Sequence, residues 1–236
     1  MNHRLAAFIV AGSYTGTLYT FSKSRQDRND PSVIKLRLTI ATIYTLTMVL
    51  ACKYFFPAIS EELGLQYNAK DCLSGLALTS LPFLASIYIS PPDINDLWGI
   101  EAVRNIYVAP FTEEIIYRGL LCAIYKHYGA KNAQILRETP LYFGLAHINR
   151  GFELAAQGMA LSQIIPTCVA QFIMTYLFGL YTTQLWIRFS SVWPGFIAHM
   201  FCNWVGPPVL GPAVRGIYGV GLLSGFSVWI WLVLRL

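Results

Sequence analysis

Three short patterns of polar side chains interrupt long apolar runs in this chain of 236 residues. Glu113 and Glu114 precede Arg118 in the stretch Phe111-Thr112-Glu113-Glu114-Ile115-Ile116-Tyr117-Arg118-Gly119. Phe143 and His147 stand at i,i+4, and so do His199 and Asn203. An ionised side chain at the centre of a bilayer costs about 2.5 kcal/mol or more, so such groups are functional candidates by default. On a helix, Glu114 and Arg118 share a face and can pair. Glu113 is then turned about 100° away and faces something else. Carboxylate, imidazole and amide together supply what amide hydrolysis needs: a base for water, a proton shuttle and donors for the developing oxyanion.

Two uses of these groups compete. In the first, Glu113 is the general base for a water that attacks a peptide carbonyl. Partial removal from water strengthens a carboxylate as a base. His147 then polarises that water or protonates the leaving amine, while His199 and Asn203 donate to the tetrahedral oxygen. Glu114 and Arg118 support this group as an ion pair. In the second, Glu and His side chains ligate zinc. The HExxH helix and the Cys/His spacings of zinc sites are absent from the sequence. The metal-free form is therefore preferred, with dispersed zinc ligands left open. No GxSxG elbow supports a serine hydrolase.

Simpler roles exist for each residue. His147 would be an interfacial histidine, Asn203 an interhelical hydrogen bond, and Glu114–Arg118 a structural pair. These roles do not explain the concentration. Two of four histidines lie in apolar runs, together with a Glu pair, an Arg and an Asn.

The elements that hold these groups follow from composition. The chain is 55% hydrophobic and 12% charged, with a mean hydropathy of +0.49. A soluble domain carries about 25% charged residues. The expected fold is all-α, a polytopic membrane helix bundle with about eight transmembrane helices. The expected spans are residues 5–21, a second ending near Pro57, 72–90 with a kink at Pro82, 98–128, 131–148, 161–188, 191–206 and 216–234. The first is read as a retained span. Pro110 either restarts the fourth helix or kinks it. Residues 91–96 and 150–160 are read as loops. No repeat or separate soluble domain is visible, so one domain covers 1–236, with the motifs at about 107–208.

The net charge of +5 suits membrane topology or anionic lipid better than nucleic acid. The five cysteines, scattered through apolar runs, read as small core residues. Lys23, Arg25, Arg28, Lys35 and Arg37 outweigh Asp27 and Asp30 between the first two spans, which assigns that loop to the cytosol. Lys126 and Lys131 argue for the opposite orientation. The first assignment puts the start of span four and the ends of spans five and seven on one side, where the polar groups can meet.

The three patterns, EExxxR, FxxxH and HxxxN, are intact, in order and on separate expected spans. They resemble the motifs of the CAAX prenyl endopeptidases of the Ras-converting type. The stretches Gln171-Phe172, Phe178-Gly179-Leu180-Tyr181 and His199 to Trp204 resemble the eukaryotic endopeptidases more than their bacterial immunity-type relatives. The resemblance implies a protease of the endoplasmic reticulum membrane. It would remove the last three residues from farnesylated or geranylgeranylated CAAX proteins such as Ras-type small GTPases. It implies Glu113 and His147 as the water-activating pair, and His199 and Asn203 as the oxyanion site. The family has been discussed both as metal-dependent and as glutamate-dependent. The alternatives are a non-catalytic membrane scaffold of the same fold, or a carrier relaying protons through Glu113 and His147. Intact His147 and Asn203 argue against the scaffold, and the lack of inverted repeats against the carrier.

Overall fold

The computed structural model describes residues 2–20, 29–207 and 217–233, and every regular element among them is helical. The main rods are α1 (His3–Thr20), α2 (Pro31–Phe55), α3 (Ala69–Ile89), α4 (residues 100–127), α5 (Asn132–Ala146), α6 (Leu161–Phe189), α7 (Trp193–Val205) and α8 (Ile217–Val233). Each coincides with one expected span. Among the described residues, three are long and apolar enough to cross a membrane by themselves: Pro31–Phe55, Ala69–Ile89 and Leu161–Phe189. The count of eight is therefore not carried by hydropathy alone. α5 and α7 have only 15 and 13 residues, and α4 carries the charges of the first motif.

Local chemistry sets the boundaries. Asp30 caps α2 by accepting from the Ser32 N–H, and Pro31 occupies the first turn, where its missing N–H costs nothing. α2 stops at Phe55, and Pro57 opens a short helix, Pro57–Glu61. Pro82 bends α3 through a 3₁₀ turn at Leu81–Phe83, where the kink was expected. α5 runs into a 3₁₀ turn, His147–Asn149, and then a short helix, Arg150–Ala156. That short helix corrects the loop expected over 150–160; Arg150 and Glu153 pair across its first turn at 2.8 Å. Gly206, at φ 75°, ends α7 in a conformation that favours glycine.

α4 is the central element. It is one continuous rod, so Pro110 neither restarts nor breaks it. Instead two wide π-helical segments, Val103–Val108 and Ile115–Leu120, flank the α-helical stretch Ala109–Glu114. Segments of this kind occur often at functional sites. The second half of α4 is buried on all sides, with Ile116, Leu121, Cys122 and Ala123 fully enclosed. α5 packs along α6, α7 along α3, and α8 against the Pro82 bend.

The bundle exposes large apolar side chains and encloses charged and polar ones beside its apolar core. Phe8, Leu46, Leu50, Leu73, Leu161 and Ile165 face outward, while Glu114, Arg118, Thr139, Thr182 and Thr183 are inside. Such a surface suits lipid, where helix contacts come from small and polar residues rather than from hydrophobic burial. Cys52, Cys72 and Cys122 are buried and Cys168 and Cys202 half-buried, all as free thiols.

Candidate active site

Glu114 and Arg118 meet as their spacing predicts. Arg118 Nη1 lies 3.2 Å from Glu114 Oε1, with both side chains enclosed (1% and 0% exposed) and the guanidinium turned off the hydrogen-bonding line. The Arg118 guanidinium also sits 4.3 Å above the Phe143 ring, a cation–π contact. Two close helix approaches make room for the pair. A Cβ at Gly195 of α7 would lie 3.0 Å from Glu114 Oε2, and one at Gly179 of α6 would lie 2.9 Å from Pro140 and 3.4 Å from Arg118 Nη2.

Glu114 has a second partner. His199 Nδ1 donates to Glu114 Oε1 at 2.9 Å, since an ionised carboxylate only accepts. The other ring nitrogen, Nε2, stands 3.8 Å from Glu113 Oε2. His199 therefore bridges the two neighbouring carboxylates, held by one and facing the other. Glu113 points away from the ion pair and is 21% exposed. It lines a cavity of about 800 Å³.

His147 and Asn203 line the same cavity as Glu113 and His199. His147 Nδ1 bonds the Phe143 carbonyl at 2.8 Å, and a carbonyl can only accept. The proton is thus on Nδ1, and Nε2 is left with the lone pair. Phe143 lies 4.6 Å from the His147 ring and 6.0 Å from the His199 ring, centroid to centroid. The first residue of the FxxxH pattern is thus the apolar wedge between both imidazoles and Arg118.

Asn203 has a contact that sequence reasoning missed. Its Nδ2 donates to the Asn105 carbonyl at 2.8 Å. In the wide register of α4, Ala109 N–H bonds the Arg104 carbonyl. The Asn105 carbonyl would then fall to residue 110, which is proline and has no N–H. Asn203 supplies the missing donor from α7. An amide nitrogen carries two protons, so one donor is left after this bond. The signal was available: a proline inside a helix orphans a carbonyl, and an amide elsewhere must answer it.

Other parts of the wall were also missed. Arg37 and Lys35, counted as loop charges, lie within α2. Arg37 lines the cavity and its Nη1 is 3.6 Å from Glu153 Oε1. Lys23, Arg25, Arg28 and Asp27, which carried most of the orientation argument, fall outside the described residues. α1 braces the motif: Tyr14 OH is 2.9 Å from Thr112 Oγ1, and Thr15 Oγ1 is 3.1 Å from Tyr117 OH. Tyr14, Arg37, Glu113, His147 and Gln171 also line an adjoining cavity of about 370 Å³.

Among the described residues, no three His, Cys, Asp or Glu side chains stand close enough to share one metal ion. What they assemble is a carboxylate, two imidazoles of defined orientation and an amide around one space.

Comparison with known proteins places the chain. The family model described as "Type II CAAX prenyl endopeptidase Rce1-like" matches residues 96–205, which include all three motifs. The "Probable CAAX prenyl protease 2" of Schizosaccharomyces pombe is 30% identical over 230 residues, covering 87% of this chain and 81% of that protein. The "CAAX prenyl protease 2" of Saccharomyces cerevisiae is 33% identical over 256 residues, with coverages of 89% and 80%. The human protein of the same name is 27% identical over 256 residues, with coverages of 96% and 77%. No solved structure matches the chain. The chain belongs to the Rce1-like family of type II CAAX prenyl endopeptidases.

Proposed function

We propose that this protein is an intramembrane endopeptidase that removes the last three residues from prenylated CAAX proteins, using water activated by Glu113 and His147. The observation that carries this reading is convergence: side chains of all three motifs, from α4, the end of α5 and α7, line one cavity. Family membership supports protease activity in general; the residue roles rest on geometry and chemistry.

Glu113 takes a proton from water as the water oxygen bonds to the scissile carbonyl carbon. His147 Nε2, the acceptor nitrogen, holds the second water proton and orients the attack. The carbonyl oxygen becomes an oxyanion, for which Asn203 has its remaining Nδ2 proton. His199 can donate there only with a proton on Nε2. Because Nδ1–H is held by Glu114, that form is the imidazolium, and the buried carboxylate stabilises it, as the aspartate does in a Ser-His-Asp triad. Collapse of the oxyanion breaks the C–N bond, and the proton on Glu113 passes to the leaving amine. Each step uses a group that lines the cavity, and preorganised donors and dipoles are a major source of rate.

The substrate suits the setting. A prenyl chain gains about 0.8 kcal/mol per buried CH₂ in lipid, so it stays in the bilayer while the peptide enters the cavity. In this reading all eight rods span the membrane as one domain. It is the endoplasmic reticulum membrane, and the substrates include Ras-type small GTPases.

The decisive assay incubates detergent-purified protein with a farnesylated CAAX peptide and with its unprenylated twin, and follows the released tripeptide. Release from the farnesylated peptide only is expected, and it persists after thorough chelation. No release from either by folded protein sinks the enzyme reading.

A further inference from the structure

Hydrolysis consumes one water per cut, and a peptide that fills a cavity expels the water that stood there. The nucleophile must therefore reach Glu113 by a way the substrate does not block. The two adjoining cavities differ in a manner that supplies one. His199 and Asn203, the oxyanion donors of the proposed reaction, line only the larger cavity, among Phe83, Phe143, Met174 and Phe178. Glu113 and His147 line both. The scissile carbonyl thus belongs to the larger space, and the water-activating pair stands on the boundary between the two.

The wall of the smaller cavity suits water. Beyond the shared residues it adds Thr15, Tyr117, Ala146, Arg150 and Glu153. Arg150 and Glu153 pair at 2.8 Å with side chains 34% and 14% exposed. Charges facing outward are costly in lipid, so this edge belongs at the aqueous end of the bundle. Deeper in, Thr15 gives its proton to the Ala11 carbonyl, and Thr112 gives its own to the Val108 carbonyl. Tyr117 must then donate to Thr15, and Tyr14 to Thr112. Each phenol oxygen keeps acceptor capacity beside a space of about 370 Å³. A water occupies about 30 Å³ of liquid and needs two to four polar partners. A short file of waters therefore fits between the ion pair and Glu113.

Building on the endopeptidase reading, we infer that the smaller cavity is a water chamber, which delivers the nucleophile to Glu113 and His147 while the peptide occupies the larger cavity. Substrate and water then arrive through separate spaces and meet at the residues common to both walls.

The test compares thiols placed in each wall. Ala146→Cys adds one to the smaller cavity and not to the larger; Thr175→Cys does the reverse. Thr15→Cys repeats the first from α1, should Ala146→Cys not fold. Each variant is treated with a charged methanethiosulfonate, with and without a non-cleavable farnesylated peptide, and labelling at the introduced thiol is followed by mass spectrometry. The peptide is expected to slow labelling of Thr175→Cys about tenfold and to leave that of Ala146→Cys unchanged. Labelled Ala146→Cys should cut a farnesylated peptide with kcat lowered about tenfold against the unaltered protein treated alike, and with KM little changed, the mark of a step after binding. Reduction of the adduct should restore kcat. Equal protection of both thiols overturns the inference and leaves the endopeptidase reading standing. So does a thiol in the smaller cavity that never reacts, or whose label leaves kcat unchanged. An unaltered protein that cuts no farnesylated peptide overturns the endopeptidase reading itself, and this inference with it.

Discussion

Glu113 and Glu114 are the same side chain one peptide bond apart, yet they live in different worlds. Glu114 is wholly enclosed, touching Arg118, His199 and the space left by Gly195. Glu113 opens on a cavity and faces the far edge of His199. The 100° turn of a helix makes the division possible, and the contents of each side decide it. One side is a packed seam of glycine and aromatic rings against an ion pair. The other is an opening between the ends of α1, α5 and α7. The difference teaches that a doubled carboxylate in a membrane helix can divide into one enclosed, structural part and one open to a cavity, which the proposed function makes the reactive one, with an imidazole shared between them.

Breaking each side in turn should give opposite results. Glu114→Ala strands the Arg118 charge in the interior. Removing one partner of a buried pair costs about 3–5 kcal/mol, so this variant should lose its cooperative thermal transition in detergent along with all activity. Glu113→Ala should leave the thermal transition in place and lower kcat by about 10²–10⁴, the range of a general base. An inverted outcome, with Glu113→Ala unfolded and Glu114→Ala active, would falsify the division.

Asn203→Ala tests the edge between the two sides. Loss of an oxyanion donor lowers kcat by about 10²–10³ with KM little changed. The orphaned Asn105 carbonyl adds a stability loss of about 1 kcal/mol, read as a modest drop in the unfolding midpoint. A full loss of stability with normal turnover in the surviving fraction would make Asn203 a strut only. Gly195→Ala is the mildest probe. It pushes a methyl group to 3.0 Å from Glu114 Oε2, an overpacking worth about 1–3 kcal/mol. Activity should fall roughly in step with stability. A stable but inactive Gly195→Ala would show that Glu114 acts on the chemistry through His199 more than on the fold.

Much of this arrangement is legible in the sequence because polar groups are scarce in it. Against so apolar a background, Glu113, Glu114, Arg118, His147, His199 and Asn203 stand out, and helical spacing tells which pairs share a face. The rod boundaries are legible for the same reason: Pro31, Pro57 and Gly206 punctuate apolar runs, and Pro82 marks the bend within α3. Arg37 was misplaced because hydropathy reads an arginine as the edge of a span, whereas this one extends along the wall to Glu153. The wide turns of α4 have no signature in composition. α7 packs against the first of them and α1 against the second, tertiary contacts that periodicity does not register. Gly179 and Gly195 read as ordinary small residues until the ion pair opposite them is seen.

The shortness of α5 and α7 has a consequence for the bilayer. With 15 and 13 residues, they rise about 22 and 20 Å, against a hydrocarbon layer about 30 Å thick. Lipid answers such a mismatch by thinning or by letting water follow the helix ends. His147 lies just past the end of α5 and Asn203 in the last turn of α7, so on the proposed reading, with both rods spanning the membrane, the dent forms over the cavity. A lipidated peptide, the substrate proposed above, would find the water it must react with already sunk to the depth of its own anchor.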